Sequence, residues 1–135
     1  MMSSIPSKKD INVHDSPDEK SAVENFFGKD LIEAESLFKE NFLKYQEDLM
    51  WMGCKGFEYY IIAAINYLKS RNVENDYESD LELFCKLINY RIESEDKFKE
   101  SAKRVLVEPI KDFLKLEISE KIKKRLTTIL SAINV

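Results

Sequence analysis

Few residues in this sequence belong to the types that do chemistry, and their spacing restricts what they could do. His14 is the only histidine and lies in a polar N-terminal stretch, so a Ser–His or Cys–His nucleophilic pair is not expected. Cys54 and Cys85 have no second ligand close by, so we predict two reduced, buried thiols and neither a zinc site nor a disulfide. The sequence therefore predicts no catalytic residue, no metal ion and no cofactor, and we expect a protein that is not an enzyme. An enzyme would require a pair of carboxylates facing one pocket.

The remaining candidates are acidic. Residues 71–82 contain five acids and one arginine, and the acids stand at alternate positions. A calcium-binding loop of the EF-hand type would need a central glycine, which this segment lacks. We therefore interpret the segment as a solvated linker or, more specifically, as a docking surface for a basic partner, because clustered like charges steer association. The candidate residues are Glu74, Asp76, Glu78 and Asp80.

A second candidate surface lies before a pair of glycines. Glu47 and Asp48 stand close to Trp51, the only tryptophan in the chain. An isolated Trp beside methionine and two acids either caps the core or anchors an interface. We predict that Glu47, Asp48 and Trp51 form a corner that contributes to partner binding.

Composition narrows the class of partner. The chain has 135 residues and a net charge of −4, which argues against binding along a nucleic-acid backbone. No apolar run reaches the length of a membrane span, and no secretory signal is visible at the N-terminus, so we expect a cytoplasmic protein without membrane contact.

Apolar spacing and capping residues predict helices. Ser16, Pro17 and Glu19 form a strong helix start, and Gly28 is expected to end that helix. Asp30 is predicted to begin a second helix that continues to about Met52. Gly53 and Gly56 are predicted to form a tight turn with positive φ.

A central helix is predicted over residues 57–70, from Phe57 to Ser70, because its residues are apolar almost all round. Asp80 is predicted to cap a fourth helix, Pro109 to break or kink a fifth or to begin a new turn, and Ser119 to begin the last. With only three Gly and three Pro, the sequence predicts an all-α fold of five to six helices packed around the central helix. The predicted organisation is a disordered N-terminal arm over residues 1–15 and a single helical domain over residues 16–135.

Part of the sequence resembles a group of small, functionally uncharacterised bacterial proteins. The resemblance covers about residues 26–95 and is carried by F-F-G-K-D-L-I-E-A-E, Y-Q-E-D-L-M-W-M-G and F-E-Y-Y-I-I-A-A-I-N-Y-L. Cys54 stands where the group has proline, and the C-terminal third matches poorly. These proteins look like the single-domain members of toxin–immunity cassettes. The resemblance implies an immunity-type inhibitor and no catalytic residues.

The two lines of reasoning lead to one expectation. We predict a non-enzymatic protein-binding module whose acidic balance suits a basic toxin domain. The alternative is a self-associating structural domain, in which apolar surface around Trp51 forms a homodimer.

Overall fold

The computed structural model describes residues 5–70, 77–94 and 98–133, and within those ranges every regular element is an α-helix. The predicted all-α class is confirmed. The predicted count of five to six helices was too low, since eight are present in the described ranges. They are α1 (Lys8–Ile11), α2 (Pro17–Phe26), α3 (Leu31–Glu40), α4 (Phe42–Trp51), α5 (Cys54–Ser70), α6 (Tyr77–Ser94), α7 (Phe98–Leu114) and α8 (Glu120–Ile133).

One additional helix arises because Asn41 divides the single helix predicted from Asp30 to about Met52. Asn41 has φ −162° and ψ 88°, which is not a helical conformation. Its side-chain oxygen accepts a hydrogen bond from the Lys44 amide at 3.1 Å, while its own amide donates to the Leu37 carbonyl at 3.0 Å. Asn41 thus ends α3 and begins α4, because asparagine side chains compete with the backbone for helical hydrogen bonds.

Several predicted helix boundaries are confirmed and others were wrong. Ser16 and Asp30 each begin a helix with a complete capping box, and Gly28 follows α2 with φ +82°. Asp80 does not cap a helix, because α6 begins earlier, at Tyr77. Pro109 lies inside α7, so the predicted break is wrong, while the alternative of a kink stays a prediction.

The chain divides into two compact units, Met1–Tyr67 and Leu68–Val135, with the division inside α5. In the first unit, α4 packs against α2 and α3, and α1 packs against α2. In the second unit, α8 packs against both α6 and α7. The predicted boundary at residue 15 and the single domain stay predictions, although residues 5–15 include α1 and a fully buried Ile11.

The predicted face of the central helix is buried. This helix begins at Cys54, three residues before the predicted start, and its buried positions include Phe57, Tyr60 and Ile61. The Tyr60 hydroxyl donates to the Phe26 or the Lys29 carbonyl, at 2.7 and 2.9 Å. α5 thereby holds the carbonyl groups at the end of α2, where Gly28 turns the chain.

Gly53 and Gly56 do not have the positive φ that was predicted, and they serve close approach instead. The Gly53 amide donates to the Ile11 carbonyl at 3.0 Å. A Cβ atom on Gly53 would overlap the Val13 side chain and lie 2.5 Å from the Asp10 carbonyl oxygen, and one on Gly56 would lie 3.2 Å from that oxygen. We call Gly53 and Gly56 the glycine corner, on which residues 10–13 are seated.

Substitution of the two glycines should therefore have unequal effects. Gly53→Ala should lower the free energy of unfolding by about 1–3 kcal/mol, because the Asp10 backbone must move. Gly56→Ala should change it by less than about 1 kcal/mol, because the helical preference of Ala offsets the tighter contact. Urea unfolding measures both, and equal losses at the two positions would contradict the close-approach explanation.

Candidate functional site

The predicted corner of Glu47, Asp48 and Trp51 is split by the two faces of α4. Asp48 is 6% exposed and points toward α2, where it accepts hydrogen bonds from Asn25 Nδ2 at 2.7 Å and from the Ser21 hydroxyl at 3.4 Å. Glu47 and Trp51 lie on the exposed face. Asp48 therefore links two helices, and only the other two candidates are accessible to a partner.

The exposed face of α4 carries apolar side chains around an acid. Leu43, Glu47 and Trp51 follow one another at a spacing of four residues, so they form one stripe on the helix. Leu43 is 59% exposed and Trp51 is 37% exposed. Val13, which is 55% exposed, lies against Gly53, two residues after the end of α4. We call Leu43, Glu47 and Trp51 the α4 stripe; Leu43 was missed because its spacing alone does not reveal which face is buried.

The acidic candidates of the linker have different surroundings. Glu74 and Asp76 lie outside the described residues. Glu78 accepts a hydrogen bond from the Ser119 amide at 3.1 Å, and hydrogen bonds from Ser119 hold its pKa below the usual value. Asp80 is buried.

Glu82 is the centre of an ion-pair cluster between α6 and α8. Its Oε1 lies 3.2 Å from Lys121 Nζ and 3.4 Å from Arg125 Nη2. The hydrogen bond and charge of Lys121, together with the charge of Arg125, lower the pKa of Glu82. Glu78 and Glu82, in the first two turns of α6, therefore hold α8 through their contacts with Ser119, Lys121 and Arg125.

A groove between α1 and α2 is a further surface feature with a defined shape, and it was not predicted from the sequence. It encloses about 370 Å³ and is lined by Lys8, Lys9, Asn12, Lys20, Val23 and Glu24. We call these six residues the α1–α2 groove. Its signal was present in the sequence: Ser7 and Asp10 form a capping box around α1, but residues 1–15 had been interpreted as an arm.

Glu19 fixes the loop that joins α1 to α2. It is 2% exposed, and its carboxylate accepts hydrogen bonds from the amides of Val13 at 2.8 Å and His14 at 2.9 Å and from the Ser16 hydroxyl at 2.8 Å. Burial alone would raise the pKa of Glu19, but these hydrogen bonds outweigh it and lower the pKa. For Asp48 burial prevails over the hydrogen bonds from Asn25 and Ser21, and its pKa is raised.

The groups that could act as nucleophiles or metal ligands are placed as follows. Cys85 is fully buried, and desolvation raises the pKa of its thiol to about 12. The His14 side chain is exposed. Among the described residues no cluster of three His, Cys, Asp or Glu side chains could hold a metal ion. In those same ranges no helix is both long and apolar enough to cross a membrane.

Comparison of the chain with protein-family models, with curated proteins and with solved structures found no match.

The buried carboxylates of Glu19 and Asp48 should respond to pH in opposite directions. Glu19→Gln should lower the free energy of unfolding at pH 7 by about 1–3 kcal/mol, because the ionised acceptor is lost. This deficit should shrink as the pH falls through the lowered pKa of Glu19, since protonated glutamate resembles glutamine.

Asp48→Asn removes a carboxyl group whose ionisation is disfavoured by burial. The variant should therefore gain stability relative to the native chain as the pH rises through the raised pKa of Asp48. Urea unfolding across the acidic pH range, together with carboxyl NMR titration, measures both effects. A deficit for Glu19→Gln that does not change with pH would contradict this assignment.

Proposed function

We propose that this protein is a non-enzymatic protein-binding module that uses the α4 stripe as its contact surface. The observation that supports the proposal is the exposure of Leu43 and Trp51 on the same helical face, with Glu47 between them. A helix in a monomeric domain normally turns such residues inward, and interface hot spots are enriched in Trp. The stripe offers apolar anchors around one negative charge.

The charge of the first unit supports a basic partner. Met1–Tyr67 contains seven lysines and twelve acidic residues, a net charge of −5, whereas Leu68–Val135 has a net charge of +1. The acidity of the chain is therefore concentrated on the unit that carries the α4 stripe, and it favours association with a positively charged surface. The finer proposal is an immunity-type inhibitor that covers the active site of a basic toxin domain.

Self-association is the second candidate, and exposed apolar side chains also favour it. Ile32, on α3, is 79% exposed, and Leu43 and Trp51 would contribute to the same kind of contact. Light scattering over a range of concentrations distinguishes the two candidates, because a homodimer dissociates on dilution.

A matched pair of double variants tests the proposal. Leu43→Ala with Trp51→Ala should abolish capture of the partner from the native cell, because the apolar anchors are removed. Ile32→Ala with Tyr90→Ala is the control, since it also removes one exposed aliphatic and one exposed aromatic side chain, and Tyr90 is 37% exposed, as Trp51 is. Equal capture by both variants would contradict the proposed surface.

The charge is tested in the same assay. Glu47→Lys should weaken capture by about tenfold, whereas Glu40→Lys, outside the stripe, should change it little. If the partner is a toxin, coexpression of the native chain should restore growth of cells that produce it, and the Leu43→Ala and Trp51→Ala double variant should not.

A further inference from the structure

The α1–α2 groove has a charge opposite to that of the unit that contains it. Three of the seven lysines of Met1–Tyr67 line it, namely Lys8, Lys9 and Lys20, and the acid among its lining residues is Glu24. All three lysines are exposed. Lys20 makes a loose ion pair with Asp15, at 3.7 Å and largely in solvent, which contributes little. A concave surface with clustered cations raises the local concentration of an anionic ligand.

The groove is bordered by apolar surface. Lys20, Val23 and Glu24 share one face of α2, because they are spaced by three or four residues, and Phe27 directly follows the end of that helix. Phe27 is 44% exposed, and the Lys8 ammonium group lies 5.3 Å from the centre of its ring. A ligand at this surface therefore contacts positive charge and an aromatic side chain together.

Asn12 adds an unused hydrogen-bonding group. Its Oδ1 is buried and has no hydrogen-bond donor among the described residues, and its Nδ2 makes a long contact of 3.4 Å with Asp15. Buried polar atoms normally have partners. Rotation of the side-chain amide would let Oδ1 accept a hydrogen bond from a ligand that carries an N–H or O–H group.

The surfaces that form the groove are held in place before any ligand arrives. The Ile11 carbonyl is bonded to the Gly53 amide, and the Glu19 carboxylate binds the amides of Val13 and His14. Binding therefore requires little ordering of the protein, which favours affinity.

We propose that the α1–α2 groove binds an acidic peptide segment of a partner protein, with carboxylates of the segment on Lys8, Lys9 and Lys20 and an apolar side chain against Val23 and Phe27. An acidic peptide supplies a group for each of these binding residues: negative charge for the lysines, apolar side chains for Val23 and Phe27, and backbone N–H donors for Asn12. This site is separate in residues and opposite in charge from the α4 stripe, so it stands whether or not the stripe binds a basic partner.

Fluorescence anisotropy with a short labelled peptide of Glu, Asp and Leu tests this proposal. The native chain should bind this peptide and should not bind its counterpart of Gln, Asn and Leu. The triple variant Lys8→Glu, Lys9→Glu, Lys20→Glu should lose about tenfold or more in affinity. Phe27→Ser should lose severalfold, and circular dichroism confirms that each variant is folded.

The matched control is Lys39→Glu, Lys55→Glu, Lys124→Glu, which changes the net charge equally at exposed lysines elsewhere. This control should retain affinity within about threefold, because none of its three lysines lines the groove. Equal losses in the two triple variants would overturn the proposal, since they would show a response to total charge alone. Failure of the native chain to discriminate the acidic peptide from its amide counterpart would also overturn it.

Two further measurements distinguish an acidic peptide from two other ligands of the groove, a nucleic acid and a second copy of this chain. Displacement of the peptide by single-stranded DNA at lower concentration than by unlabelled peptide would overturn the assignment in favour of a nucleic acid. A dimer that forms with the native chain and does not form with the Lys8→Glu, Lys9→Glu, Lys20→Glu variant would also overturn the proposal, because the groove would then bind a second copy of this chain. The Leu43→Ala and Trp51→Ala variant should bind the acidic peptide with native affinity, so the failure of either proposal leaves the other intact.

Discussion

The hydrogen bond from the Gly53 amide to the Ile11 carbonyl is the contact that seats the N-terminal segment of the first unit. It is possible because the glycine corner lets the backbone of residues 10–13 approach α5 more closely than a side chain at Gly53 would allow. With that segment seated, α1 lies against α2 and creates the α1–α2 groove, and Val13 is held beside Gly53, just beyond the end of α4. Glu19 adds a second attachment through the amides that follow Ile11.

Charge is distributed in a way that the linear sequence conceals. Within the second unit the acidic residue Glu82 binds the basic residues Lys121 and Arg125 and offsets part of their charge. The net negative charge belongs to the first unit, which also contains the lysine-lined groove. The first unit therefore presents a local concentration of positive charge on a net negative unit, and at physiological salt exposed charges more than about 8 Å apart are largely screened from each other.

Local rules predicted much of the fold. The capping residues at Ser16 and Asp30 and the apolar face of α5 were readable because each depends on neighbours within one or two helical turns. The role of Gly53 could not be predicted from its neighbours, because the segment that packs against it lies about forty residues earlier in the chain. The burial of Asp48 depends likewise on α2, whereas its candidacy as a surface residue rested on its closeness to Trp51 in the sequence, which does not say which face of α4 turns inward.

Hydrogen exchange at the Gly53 amide tests most directly the claim that seating of the N-terminal segment organises the first unit. Gly53 precedes the first residue of α5, and its amide is bonded to the distant Ile11 carbonyl. We expect this amide to be protected to the same degree as the amides of α4 and α5, and the amides of Val13 and His14, bonded to Glu19, to be protected with it. Exchange at the rate of an unstructured peptide at Gly53, with α4 and α5 still protected, would contradict it.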